Sequence, residues 1–301
     1  MPACLTVHLP DRAAIVRTVA RGEALRIGRA EDSGLRIEHA SISRAHAELR
    51  GEGDDWALRD LGSKNGSFIE GERLAPDQPR SLPRAAWLRL GDVYCEFARI
   101  DDDAAAQAEA GRRARRAAAT AHTARIDGVR DLGGLLDASL RGVLELAQCE
   151  RGFVLLAQAG GFSVRASVAL DASKLRARAF SGSVGAVRRA LDTGRSVVAN
   201  DISGEAWLAS RQSVVAANLH ALVCLPLLDG EQVLGAIYAD RTGPGAPITT
   251  LDQELLEAFA ERAALWLAAH SASALLAQLP AASQDGLDWS GVLAAHAGRA
   301  P

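Results

Sequence analysis

The sequence predicts two domains, an all-β sandwich followed by an α+β domain. The first hundred residues consist of short stretches with alternating apolar and polar residues, separated by Gly, Asp, Asn and Pro, with no convincing helix. Residues 127–270 instead mix helical apolar spacing with strand-like runs. A length of 301 residues also suits two domains, because each can then bury its own core.

The first predicted domain spans residues 1–100. Turn signals such as "EDSG", "GEGDD", "GSKNG" and "APDQP" separate its predicted strands. Short strands at regular spacing are typical of a sandwich. The predicted strands are "CLTVHL", "AIVRTV", "ALRIGR", "LRI", "AHAELR", "WALRDL", "SFIEG" and "YCEFARI".

Residues 101–126 are rich in alanine and charge and carry no bulky apolar residue before Ile126. Alanine, arginine and glutamate favour a helix, but little surface is available to bury. The segment is therefore predicted to be a linker that is partly helical. Its "RRARR" run could contact nucleic acid, but no aromatic or groove-reading element accompanies it, which favours a solvated face.

The second predicted domain spans residues 127–275. Its predicted helices are "LGGLLDASLRGVLELAQ", "GAVRRALDTG", "WLASRQSVVAAN" and a long closing helix capped by Thr249 or Thr250. The predicted strands include "GFVLLA", "FSVRASVAL", "SVVAND" and a hairpin around Asp229 and Gly230. Residues 276–301 are predicted to be a flexible tail apart from "WSGVLAAH".

Composition excludes several classes of function. The net charge of −3 and the pI of about 6.2 favour neither nucleic acid nor an anionic membrane as a partner. The four cysteines are widely separated without CxxC pairing, so neither a metal site nor a disulfide framework is expected. No signal peptide or long apolar span is recognisable, and the expected location is cytoplasmic.

Two stretches, "RIGRAEDSGLRIEHASISRAHAEL" and "LRDLGSKNGSFIEG", resemble the forkhead-associated (FHA) domain. The family pattern is Gly-Arg, then Ser-x-x-His, then Asn-Gly, and each part occurs here in order. The resemblance implies a β-sandwich that binds phosphothreonine peptides. It assigns phosphate contacts to Arg29, Ser43, Arg44 and Lys64, a peptide main-chain contact to Asn65, bracing of the two loops to His46, and tight turns to Gly28 and Gly66.

The residue types agree with that implication. A phosphothreonine carries about −1.5 to −2 charges and three acceptor oxygens, which suit a planar cation, hydroxyl donors and backbone amides. Taken singly, Arg29 could instead pair with Glu31 or Asp32, and some domains of this fold bind unphosphorylated partners. The first hundred residues hold 15 Lys+Arg against 15 Asp+Glu, so binding must come from one local pocket. That favours a phosphopeptide over nucleic acid.

The hairpin "ALVCLPLLDGEQVLGAIYAD" and the preceding "GAVRRALDTGRSVVANDIS" resemble GAF domains over about residues 130–270. The family senses small molecules or dimerises through its terminal helices. The cyclic-nucleotide pattern is incomplete after Lys174, and the turn "SGSVGAV" lacks the cysteines of sulfoxide reductases. Cys149 and Cys224 suit a core better than a bilin attachment, and His220 is a weak haem candidate. The ligand stays unknown.

Together these features predict a signalling adaptor without catalytic residues, metal or defined cofactor. The expected partner is a threonine-phosphorylated protein, either a Ser/Thr kinase or its substrate. One alternative is an input-only transcriptional regulator acting in trans on a separate ATPase. Another is an enzyme with its site in the second domain, although few Cys, His or carboxylate groups cluster there.

Homodimerisation through the helices of the second domain is a further alternative. The closing helix carries an apolar stripe that would suit a dimer face or packing on its own sheet. The stripe consists of Leu255, Leu256, Phe259, Ala263 and Trp266.

Overall fold

The computed structural model describes residues 1–10, 12–158, 161–170, 183–200 and 219–278, with side chains of the last helix described to residue 273. The first domain is built from strands alone. They are β1 (Ala3–His8), β2 (Ile15–Val19), β3 (Ala24–Gly28), β4 (Leu35–Arg36), β5 (Ala47–Glu52), β6 (Asp55–Asp60), β7 (Ser67–Ile69), β8 (Glu72–Arg73), β9 (Pro79–Ser81), β10 (Ala85–Leu90) and β11 (Val93–Arg99).

These strands form two sheets that face each other across one apolar core. One sheet has the order β2-β1-β11-β10-β7-β8 and the other β4-β3-β5-β6-β9. Alternation along the strands supplies the core, as in β1, where Leu5 and Val7 are fully buried. Trp56 and Phe97 pack between the sheets with ring centroids 6.1 Å apart. The predicted all-β sandwich is confirmed.

The segment that the sequence presents as a linker is a continuous helix, α1 (Asp102–Asp127), capped by the Asp101 side chain. It packs against two helices of the second domain. Its buried residues are Ala119, His122 and Ile126, and Arg115 pairs with the buried Asp252 at 2.9 Å. Apart from Ile126, these contacts are made by small and polar side chains, so apolar periodicity does not reveal them.

The second domain has one sheet with helices against it. The helices are α2 (Leu132–Leu146), α3 (Val184–Thr193) and α4 (Thr250–Gln278). The strands are β12 (Arg151–Gln158), β13 (Gly161–Val168), β14 (Val197–Asn200), β15 (Ala221–Asp229) and β16 (Gln232–Arg241), in the order β13-β12-β16-β15-β14. Helix α3 ends at Gly194 and the hairpin turns at Asp229 and Gly230, as predicted. The α+β architecture is confirmed.

The two faces of this sheet are covered differently. Helices α1, α2 and α4 bury the larger cluster on one face, whereas α3 covers a smaller cluster on the other. The closing-helix stripe lies in the larger cluster, with Leu256, Phe259 and Ala263 at most 1 % exposed. Packing within its own domain therefore accounts for the stripe.

The remaining predictions for the second domain concern the start of α4 and residues that the structure does not describe. The hydroxyl of Thr249 accepts from the Asp252 N–H at 3.3 Å, and the Asp252 carboxylate accepts from the Thr249 N–H at 2.8 Å. This reciprocal pair is a capping box and identifies Thr249 as the cap. The predicted helix "WLASRQSVVAAN", the residue Lys174 and the tail segment "WSGVLAAH" lie outside the described residues.

Hydrogen bonds and packing join the two domains in addition to the covalent connection. Ala14, between β1 and β2, donates to the carbonyl of Ile248 and accepts from the Thr250 N–H, each at 2.9 Å. Its neighbour Ala13 is buried in the core of the second domain. Asn200 holds both backbone groups of Ile248 with its side-chain amide, at 3.0 and 2.8 Å. The start of α4 is therefore fixed to both domains.

Within the described part of the chain, no helix is long and apolar enough to cross a membrane.

Candidate functional site

Three loops of the first domain, following β3, β4 and β6, surround an open cavity of about 780 Å³. All five residues predicted to contact a phosphopeptide line it. Arg29, Arg44, Lys64 and Asn65 are exposed and Ser43 is half-buried. The three supporting residues lie beneath them and are buried. The lining residues that carry the argument are Arg26, Arg29, Asp32, Ser43, Arg44, Lys64 and Asn65.

The end of β3 and the loop after β4 approach closely at Gly28. The Arg29 N–H donates to the Ser43 carbonyl at 2.9 Å, and the Ala30 N–H donates to the Arg44 carbonyl at 3.2 Å. A Cβ atom at position 28 would lie 2.1 Å from the Arg44 carbonyl oxygen, which is a backbone atom that cannot simply move aside. Glycine at this position therefore allows both loops to meet.

Arg29 projects from this junction. Its Nε donates to the Ile42 carbonyl at 3.3 Å, which restrains the side chain and leaves both terminal nitrogens available. The sequence left open an ion pair with Glu31 or Asp32. Within the described residues no carboxylate lies within 4.0 Å of Arg29, and Asp32 faces Arg26 at 3.9 Å instead. The geometry favours a guanidinium held ready for a ligand.

The second and third loops are hydrogen-bonded to each other across the cavity. The Lys64 N–H donates to Ser43 Oγ at 3.0 Å, so the serine hydroxyl keeps its own proton for another acceptor. The Asn65 side chain donates to the Ser41 carbonyl at 2.8 Å. Its carbonyl oxygen and second N–H remain available, and this combination suits a peptide main chain.

His46 lies fully buried between these loops. The Ser43 N–H donates to His46 Nδ1 at 3.1 Å, so Nδ1 carries the lone pair and Nε2 donates to the Gly66 carbonyl at 3.2 Å. The ring therefore fixes the Ser43 loop to the Asn65 loop without lining the cavity. Burial lowers the pKa of His46, although the bond to Gly66 and the nearby Asp60 oppose this effect.

This lowered pKa makes the free energy of unfolding depend on pH. Since the unfolded chain binds a proton more readily than the native state, His46 stabilises the fold above its unfolded pKa of about 6.5. That contribution is lost as the pH falls through the lowered native pKa. We expect stability to fall by up to about 1.4 kcal/mol per pH unit in that window.

Urea unfolding between pH 8 and pH 5 measures this slope. In His46→Asn, an amide can still bridge Ser43 and Gly66 but does not titrate, so its profile should be flatter than that of the unchanged protein. Other histidines contribute equally to both proteins. Equal slopes in the two proteins would contradict the assignment.

Beneath the third loop lies an anchor that the sequence analysis missed. The buried Asp60 carboxylate accepts from the Ser63 N–H at 2.8 Å, the Ser63 hydroxyl at 2.7 Å and the Ser67 hydroxyl at 2.6 Å. Burial by itself would raise the pKa of Asp60, but these hydrogen bonds hold it below its ordinary value. An aspartate followed three residues later by serine is a turn signal that could have indicated this role.

Gly66 and Ser41 complete the support. Gly66 has a φ of +80°, in the left-handed region that glycine tolerates, and its N–H donates to Ser63 Oγ at 2.9 Å. Ser41 was also missed; its hydroxyl accepts from the Asp92 N–H at 2.9 Å and lies 2.8 Å from His39 Nδ1. Since its carbonyl also holds Asn65, Ser41 positions that side chain.

In the second domain, the residues considered as ligand attachments are placed in or near the core. Burial raises the pKa of Cys149 and of Cys224 to about 12, so neither thiol forms a thiolate at neutral pH. His220 is half-buried, and its N–H donates to the Arg241 carbonyl. The described residues include no group of three or more His, Cys, Asp or Glu side chains able to hold a metal.

A buried charged network, also missed from the sequence, lies on the α3 side of the sheet. Asp240 is fully buried and accepts from Arg151 Nη2 at 3.2 Å and from the Tyr238 hydroxyl at 2.7 Å. Burial raises the pKa of Tyr238, which keeps its hydroxyl protonated. The Tyr238 oxygen in turn accepts from the Ser183 N–H at 3.0 Å, ahead of α3.

A separate family model matches a part of each half of the chain. The FHA domain model matches residues 25–91 and the GAF domain model matches residues 131–267. The FHA match contains all eight predicted site residues. The GAF match contains α2, α3 and the whole sheet of the second domain.

Two similar proteins each match about a quarter of the chain. The FHA domain-containing protein FhaB of Mycolicibacterium smegmatis is 35 % identical over 71 residues, covering 24 % of this chain and 44 % of FhaB. The oxoglutarate dehydrogenase inhibitor of Corynebacterium jeikeium is 38 % identical over 75 residues, covering 25 % of this chain and 50 % of the inhibitor. The chain thus spans half or less of the length of these relatives.

Among solved structures, a domain studied for phosphothreonine-dependent FHA domain interactions is 26 % identical with a TM-score of 0.29. The match covers 33 % of this chain and 98 % of that one. The two family models therefore show that the chain contains an FHA domain, over residues 25–91, followed by a GAF domain, over residues 131–267.

Proposed function

We propose that the protein is a signalling adaptor whose FHA domain binds a threonine-phosphorylated segment of another protein, such as a kinase or a kinase substrate. The observation that carries this proposal is the charge of the cavity between the three loops. Four cationic side chains and one carboxylate line it. That carboxylate, Asp32, faces Arg26, so the remaining cations can act on a ligand.

Those remaining cations come from three separate loops, through Arg29, Arg44 and Lys64. None has a carboxylate within 4.0 Å in the described part of the chain. A phosphate at their centre would gain two or more charge-assisted hydrogen bonds without breaking an existing ion pair. The balanced charge of the whole domain makes this attraction local.

The neutral groups support a peptide rather than a free phosphate. The free Ser43 proton can donate to a phosphate oxygen, while the unused donor and acceptor of Asn65 can pair with a peptide backbone. His46 and Asp60 fix the loops from below, so little ordering of the site is needed on binding.

For the GAF domain we propose a non-catalytic role in sensing a small molecule. The alternative role, dimerisation through the stripe on α4, is less favoured because Leu256, Phe259 and Ala263 are already buried within their own domain. A change in this domain could reach the phosphopeptide loops, since Ala14 ties the two domains together.

Binding to a phosphothreonine peptide library tests the first part of the proposal. We expect micromolar or tighter binding by selected phosphopeptides and at least about a hundredfold weaker binding by their unphosphorylated copies. A glutamate copy tests charge alone; it should also bind weakly, because it carries one charge and two oxygens in place of three oxygens and about two charges. Equal binding of all three forms, or binding of none, would contradict phosphopeptide recognition.

A further inference from the structure

A second cavity, of about 860 Å³, lies between the two domains. The Ala14 backbone bonds to Ile248 and Thr250 hold its walls together. Its size falls in the range of about 300–1,000 Å³ that small-molecule sites occupy, and such sites are frequent at domain interfaces. It is separate from the phosphopeptide cavity, because no residue lines both.

Arginines from both domains line this cavity. Arg12 and Arg36 come from the FHA domain, and Arg189 and Arg195 flank the end of α3 in the GAF domain. Arg195 has no carboxylate within 4.0 Å among the described residues, and Arg12 has only Glu38, at 3.9 Å. Guanidinium groups from opposite walls are suited to one anionic group between them.

The carboxylates of the cavity are less available for a ligand. Glu38 already pairs with Arg36 at 2.8 Å. Glu257 accepts from the Ser196 hydroxyl and from the Gln253 amide, the latter at 2.7 Å. Glu261 is exposed, where water solvates its charge. Arg12 and Arg195 are therefore the ionic groups that carry the argument for a ligand.

Apolar side chains supply another part of the surface. Leu9 and Ile15 come from the FHA domain, and Val197, Pro226 and Leu228 come from the GAF sheet. An inorganic anion would leave this surface in contact with water, whereas an apolar group would cover it and gain free energy from burial. We propose that this cavity binds a small organic anion that carries an apolar body. This inference does not depend on phosphopeptide binding by the FHA domain.

Two fluorescent dyes test it on the full chain. 1-Anilinonaphthalene-8-sulfonate is an aromatic anion, and N-phenyl-1-naphthylamine is its uncharged counterpart. We expect saturable binding of one sulfonate dye per chain, with higher affinity than the uncharged dye. Arg12→Ala and Arg195→Ala should each lower the affinity for the sulfonate dye by about tenfold or more. The same variants should change the affinity of the uncharged dye by less than about twofold.

Matched variants complete the experiment. Arg165→Ala removes an exposed arginine on β13, at the opposite edge of the GAF sheet, and should leave both affinities unchanged. Leu228→Trp fills the cavity and should abolish binding of both dyes, with the circular dichroism spectrum retained. The proposal is overturned if the sulfonate dye binds no better than the uncharged dye. It is equally overturned if the Arg12, Arg195 and Leu228 variants bind like the unchanged protein.

Discussion

Replacing Arg29 with alanine is expected to weaken phosphopeptide binding by roughly a hundredfold or more. Truncating one partner of a hydrogen-bonded charge pair costs about 2–5 kcal/mol, because the other charge is then left uncompensated. The fold should be retained, since Arg29 is exposed and its described side-chain contact is the bond from Nε to the Ile42 carbonyl. Isothermal titration calorimetry gives the affinity, and thermal unfolding monitors the fold.

Two further variants separate charge from geometry. Arg29→Lys keeps the charge but loses the planar pair of donors, so its affinity should fall between those of the unchanged protein and Arg29→Ala. Arg50→Ala removes an exposed arginine at the far end of β5 and should bind within about twofold of the unchanged protein. Normal binding by Arg29→Ala, or its failure to fold, would count against the site.

Replacing Asp240 with alanine is expected to lower the free energy of unfolding by about 3–5 kcal/mol. The substitution removes a buried charge partner of Arg151, whose side chain is 18 % exposed, and removes the acceptor 2.7 Å from the Tyr238 hydroxyl. Removing one member of a buried charged network is costly because water cannot reach the site to replace the lost interactions. Chemical denaturation, followed by circular dichroism, measures the loss.

Asp137→Ala provides the matched control. Asp137 and Arg141 form an exposed ion pair at 2.9 Å on α2, whose contribution should be about 0.5 kcal/mol or less. Both substitutions remove an aspartate bonded to an arginine, so the comparison separates the buried network around Asp240 from an exposed ion pair. Similar losses in the two variants would show that the Asp240 network contributes no more than a surface pair does.

The architecture was predictable because its signals are local. Period-two alternation and turn residues determine most strands of the sandwich, and Gly194 and Gly230 mark the helix end and the hairpin turn. The packing of α1 was not predictable, because its contacts come from Ala119, His122 and Arg115 rather than from an apolar stripe. Such contacts depend on the partner surface, which lies more than a hundred residues away for Asp252.

The candidate site was predictable for the residues that belong to the spaced motif, including the supporting residue His46, and not for supporting residues outside it. Arg29, Ser43 and Asn65 stand in a spaced pattern that can be read along the chain. Ser41 acts through hydrogen bonds to other loops, and a polar residue in a loop gives no sign of which loop it will hold. Asp60 bonds within its own turn, where only the spacing to Ser63 gives a signal. Arg151 and Asp240 are 89 positions apart in the sequence, and they meet because β12 pairs with β16.

The bridge through Ala14 changes what counts as one folding unit in this protein. By sequence, Ala14 belongs to the FHA domain, yet both of its backbone groups are bonded to the segment that starts α4, and Ala13 lies in the GAF core. If either domain unfolded, backbone groups of the other would lose their hydrogen-bond partners. The two domains are therefore coupled in their unfolding, and a cut between them near residue 100 would divide a cooperative unit.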